Sequence, residues 1–142
     1  MNAYLNLKQK RQAEVNSFPM MFAFSDQQFE EGMKNLGLEP TDTDKIYSIG
    51  GGGFIRKSDS ISLSEMSKRH NKEMQEAIAT DQTGEGFIFD MFNYELRNHE
   101  YNYTMDVTDT LEALNLTIEE VNADERLING LSKAKKAQFN NM

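Results

Sequence analysis

The sequence predicts a helix-rich α+β fold in a single domain, with five or six helices and a small antiparallel sheet of two or three strands. Three observations point there. The chain has 142 residues, the length of one domain by the usual prior. Apolar residues recur at steps of three and four through several long stretches. Two short β-like runs flank four consecutive glycines in "KIYSIGGGGFIRKSD", residues 45–59.

In chain order, residues 3–16 read as a polar, charged helix, expected at the periphery. "FPMMFAF" (18–24) is a continuous apolar run and predicts a buried strand, with Pro19 near its start, where a strand tolerates proline. Ser25 and Gln28 make a capping-box pattern. Phe29, Met33 and Leu36 then follow at helical spacing, Gly37 suits the helix end, and Gly32 inside it permits close packing. "LEPTDTD" is a turn. "KIYSI" (45–49) and "FIRK" (54–57) are strands at hairpin distance. Ser58 or Asp59 should cap a helix over about 59–79, with the apolar stripe Leu63, Met66, His70, Met74, Ala77 and Ile78.

"TDQTGEG" breaks the chain. Residues 87–101 read as one mostly apolar helix with a narrow polar stripe of Asp90, Asn93, Arg97 and Glu100, so it should be central. "NYTMDV" reads as a loop or a short edge strand. Thr108 should cap "DTLEALNL", and Thr117 with Glu120 makes a second capping box. Residues 124–139 form the last helix, acidic first and lysine-rich late, which complements its dipole. Within the single domain, 1–142, residues 106–139 are expected to form a C-terminal helical cap.

The net charge of −8, from 23 acids spread along the chain, disfavours nucleic acid and anionic lipid, which need clustered cations. It suits a basic protein partner. There is no cysteine, hence no disulfide framework and no thiolate zinc site. The N-terminal stretch lacks an apolar signal core and no run of about 18 apolar residues occurs, so a cytoplasmic location is expected.

The glycine run has two readings. A phosphate loop cradles its anion at a helix N-terminus or follows its last glycine with Lys and Ser/Thr. Here Phe54 and Ile55 follow and look like a strand. A hairpin tip, where glycine supplies positive φ, fits better. Gly50, Gly51, Gly52, Gly53, Phe54, Arg56 and Lys57 are therefore candidates for contacting a partner, or an anion in the alternative reading. Tyr101 and Tyr103 join them, because tyrosine favours recognition surfaces.

Glu95 and His99, spaced i, i+4, are the weak metal candidates, since a zinc site needs three or four ligands. No cofactor is expected. No G-x-S-x-G, H-E-x-x-H or Cys–His pattern occurs, so a hydrolase would have to rest on carboxylates such as Asp90, Glu95 and Glu100 with a metal. Residues 109–137 imitate a helix-turn-helix, but "TIEEVNADER" would set carboxylates against phosphates.

"FPMMFAFSDQQFEEGMKNLGL", "IGGGGFIRKSD" and "YELRNHEYNYTMDVTDTLEALNL" resemble segments of a family of small uncharacterised proteins of gut bacteria and of their phages and mobile elements. The likeness covers about residues 12–137 and carries no catalytic residue over. It implies an accessory protein that binds a host protein, such as nucleic-acid-handling or CRISPR-type defence machinery. The expected function is thus non-enzymatic protein binding, with a nucleotide or anion binder and a carboxylate–metal hydrolase as alternatives.

Overall fold

The computed structural model describes residues 2–140. Among them are eight α-helices and one three-stranded antiparallel sheet, a helix-rich α+β fold. The helices beyond the expected five or six are pieces of four to six residues. The chain divides into two compact units, Gln12–Asn71 and the remainder, with both divisions inside long helices, α1 (Ala3–Ser17) and α3 (Ser60–Thr80).

The first unit is built on a hairpin. Strands β1 (Met21–Phe22), β2 (Ile46–Gly50) and β3 (Gly53–Arg56) lie in the order β1-β3-β2, all antiparallel. Strand side chains alternate between faces. Phe54, opposite Met21, turns toward helix α2 (Asp26–Asn35) and meets Phe29 edge-on at 5.6 Å. Met21, Met33 and Leu36 complete this small core. A Cβ on Gly32 would collide with the Met21 side chain, so this glycine does permit close packing.

Residues 18–24 are not the buried strand expected. Only Met21 and Phe22 are in strand, Met21 alone is buried, and Phe22 and Phe24 face solvent. An apolar run cannot reveal that its strand has one covered face. The α2 cap is also half of what was expected. Ser25 accepts from Gln28 N at 3.2 Å, but the Gln28 side chain accepts from Phe24 N at 2.7 Å, one residue earlier than a capping box requires.

The second unit is helical, and α4 (Phe87–Asn98) is its centre, as its thin polar stripe predicts. Ile88, Met91, Phe92 and Leu96 are fully buried. Burying a side chain of that size contributes about 1.5–3 kcal/mol. Leu127, Leu131 and Ala134 of α8 (Glu125–Asn140) join the same core. Tyr4, near the start of α1, is also buried there, with its ring 5.8 Å from those of both Phe87 and Tyr94.

One carboxylate organises the entry to α4. Asp81 accepts from the backbone N–H groups of Thr83, Gly84, Gly86 and Ile88 at 2.9–3.2 Å. Burial pulls its carboxyl up, but these four bonds outweigh that and hold it below the usual range. Arg126 clamps the same loop by donating to the carbonyls of Ile78 and Asp81 at 3.1 and 2.9 Å.

Three local expectations in this unit need correction. The helix from Phe87 ends at Asn98, because Glu100 turns left-handed at φ 58°. The break lets Tyr101 pack edge-on against Phe139 at 5.9 Å. Residues 101–104 then form a helical turn, α5 (Tyr101–Thr104), so that of 102–107, expected as a loop or edge strand, only 105–107 are loop. Thr108 does not cap α6 (Thr108–Ala113). Instead Asp106 accepts from Thr108 N and Oγ1, at 2.9 and 2.6 Å. The second capping box, Thr117 with Glu120, forms as expected at the start of α7 (Ile118–Asn122).

Candidate functional site

The glycine run is the tip of a hairpin, and no helix opens inside it. Gly50 and Gly53 pair across the turn. Gly51 and Gly52 take φ of +59° and +79°, the sign that a primed two-residue turn requires at both positions. Gly50 is also left-handed, beside the register shift between Ser48 and Gly50. Gly53 has a different reason to be glycine. A Cβ there would stand 2.8–3.0 Å from the side chains of Ile49 and Phe22. A Cβ on Gly52 would likewise meet the Phe24 ring.

These missing side chains make a floor. Phe22, paired with Gly53, and Ile49, from the far strand, lean over β3 from both sides. The ring of Phe24 covers Gly52, anchored by the Ala23 N–H, which donates to Gly52 O at 2.9 Å. Tyr47, opposite Ile55, continues the same face, and the Lys57 ammonium lies 5.1 Å from its ring centroid. The result is a patch of exposed apolar side chains along this face. Phe22 is 55%, Phe24 77% and Tyr47 49% exposed, around buried Gly53 and Ile55.

The sequence candidates divide accordingly. Gly50, Gly51, Gly52 and Gly53 form the tip and floor. Phe54 points to the opposite, covered face. Arg56 is engaged, donating to Asp59 at 2.7 Å and to the Leu36 carbonyl at the end of α2 at 3.2 Å. Lys57 borders the open face. Tyr101 and Tyr103 belong to the other unit, where Tyr101 is buried and Tyr103 is 81% exposed. Sequence reasoning missed Phe22, Phe24, Tyr47 and Ile49. The alternation of Tyr47 and Ile49 across polar Ser48 was a usable signal. Phe22 and Phe24 were hidden inside a run read as core.

Glu95, one of the two weak metal candidates, is 1% exposed, and the Lys8 ammonium pairs with it at 3.4 Å. Its burial and that of Tyr4 meet, and burial followed by the Glu95 charge pushes the Tyr4 hydroxyl well above its usual range. His99 is half-buried at the end of α4. Asp90 has its carboxyl raised, first by burial and then by the Asp81 charge. Among the described residues no three acid or histidine side chains stand close enough together to share a metal ion.

A second feature of the hairpin unit is an open cleft of about 440 Å³ lined by Ala13, Glu14, Ser17, Phe18, Met66 and Arg69. Its charges face each other. Both Arg69 terminal nitrogens donate to the Glu14 carboxylate, at 2.9 and 2.6 Å. Buried His70 places Nε2 3.3 Å from Glu14 Oε1, without the alignment of a hydrogen bond.

No helix among the described residues is long and apolar enough to cross a membrane. No curated protein and no solved structure matches the chain. A family model does, over residues 3–137, nearly the whole length. The chain belongs to that family, DUF7659, a family of unknown function.

Proposed function

We propose that this is a small acidic, non-enzymatic protein that works by binding another protein through the open face of its hairpin. One observation carries the reading. Two phenylalanines, a tyrosine and an isoleucine stand exposed together on one sheet face, over a floor that only glycines allow. Single exposed apolar residues are ordinary, whereas grouped aromatics are the composition of interface cores. The Lys57 ammonium at the border pairs with no carboxylate among the described residues, and it offers a partner's carboxylate a site. Net charge of −8 favours approach by a basic protein.

The biological setting rests on the three resembling segments alone. On that basis we read the protein as an accessory of a phage or mobile element of gut bacteria, directed at a host protein such as defence machinery that handles nucleic acid. The anion alternative is less favoured, because Arg56 is already bonded to Asp59 and to Leu36 O.

The test is paired affinity capture from the natural host, with wild-type protein and with a Phe22→Ser/Phe24→Ser variant as baits. A partner held by the wild type and by an Ile128→Ser control, an exposed residue outside this face, but lost from the double variant, supports the face. A partner held equally by all three contradicts it. A rise of several degrees in melting temperature with a nucleotide would support the anion reading instead.

A further inference from the structure

The helical unit carries a different surface, independent of the hairpin. Val107, Thr108, Leu111, Glu112, Leu116 and Ile118 line a groove of about 360 Å³ formed by α6, α7 and their connection. Its floor is Leu111, its walls are Val107 and Leu116, and Ile118 stands exposed at its edge. Tyr103 and Met105, immediately before it in the chain, are exposed as well.

Glu112 is the charged residue that lines this groove, and the stretch of chain that forms it is charged one way. From Asn98 to Glu125 the chain has eight acidic residues and no lysine or arginine. Some have local partners: Asp106 holds Thr108, Glu120 closes its capping box, and Asp124 pairs with Arg126. The exposed carboxylates of Glu100, Asp109, Glu112, Glu119 and Glu125 form no ion pair among the described residues. Asp109 and Glu119 gain from the N-termini of α6 and α7, which accounts for their presence without a ligand. Glu112 has no such role. It sits at the groove itself, in the second half of α6.

We infer that this groove takes an amphipathic segment of another protein, with leucine- or isoleucine-type anchors in the groove and lysines or arginines on the acidic rim. A helix laid in a groove is read through anchors at i, i+3, i+4 and i+7, and cations beside those anchors meet the unpaired carboxylates. A second copy of this chain fits less well, since its own groove region carries the same charge sign.

The probe is a short helical peptide with leucines at those four spacings and lysines elsewhere. A lysine–serine peptide of equal charge is the control. Fluorescence anisotropy should show binding of the first that weakens as salt rises. Ile118→Ser leaves the charge unchanged and alters only an exposed side chain. It should weaken binding about tenfold or more without lowering the melting temperature, as should Glu112→Lys. Equal binding of the lysine–serine peptide would overturn the proposal, reducing the groove to a charged surface. So would unchanged affinity of Ile118→Ser. Self-association of the protein alone, abolished by Ile118→Ser, would overturn it in favour of a second copy.

Discussion

The two units differ in where their central elements send their large apolar side chains. In the helical unit the apolar side chains of α4 go inward, although Tyr103, Met105 and Ile118 elsewhere in it stand exposed. Phe92, Ile88, Met91 and Leu96 on α4 have no exposed surface, and even Glu95 beside them is closed off with Lys8. In the hairpin unit the core is small and rich in methionine, around Met21, Met33 and Leu36, while its largest apolar rings face water. A side chain that stabilises the fold must lose its contact with water when the chain folds. The difference therefore teaches which residues are kept for packing and which are free to serve contact.

The sharpest contrast should appear on truncating an inward ring. Phe92→Ala removes a fully buried side chain and should cost about 3–5 kcal/mol in urea unfolding. A loss under about 1 kcal/mol would mean that α4 is not the centre of the fold.

The next effect concerns backbone close to backbone. Gly84 lies at φ +89°, and a Cβ there would run into the Arg126 carbonyl of the loop clamp. Gly84→Ala should lower stability by about 1–3 kcal/mol from the left-handed strain alone. Gly51→Ala faces the same φ problem in open space, so it should cost about 1–2 kcal/mol. If Gly51→Ala proved as stable as wild type, the turn would not be held in the primed geometry, and the glycine floor would lose its basis.

A smaller effect should come from pH. The hydrogen bonds from Arg69 come first among the influences that lower the Glu14 carboxyl from 4.5 to about 2, with His70 adding to them. A carboxylate whose folded value is depressed contributes stability above its unfolded value, and that contribution is lost as pH falls through the folded one. The stability gap between wild type and Glu14→Gln should therefore be present at neutral pH and close between about pH 4.5 and pH 2. The pair is partly exposed, so the gap should be small and should shrink with salt. A gap that widened on acidification would contradict the assignment.

What the sequence made legible follows the same division. The helical period exposed α3 and α4, because a stripe at steps of three and four records which side is buried. The hairpin was legible from its glycines between two β-like runs, because Gly50, Gly51 and Gly52 supply the positive φ of a tight turn. The open face was not legible. Phe22 and Phe24 sit in an unbroken apolar run, and a run without alternation hides which face is covered. The break after α4 escaped for a similar reason. Glu100 takes a left-handed φ without being glycine, and the turn accompanies the packing of Tyr101 on Phe139, a tertiary contact that the local sequence does not display. Thr108 falls inside α6 with its N–H and hydroxyl turned back to Asp106, so no side chain caps that helix, an outcome that a cap pattern alone does not weigh.

The central claim is that the aromatics of the hairpin face are not there to hold the fold. Urea unfolding of Phe22→Ser/Phe24→Ser tests it most directly, measured beside Phe92→Ala. The account predicts a stability within about 0.5 kcal/mol of wild type for the double variant, the range of surface changes, against the large loss for Phe92→Ala. A loss of about 2 kcal/mol or more from the double variant would show that both rings stabilise the hairpin, and would contradict their assignment to contact.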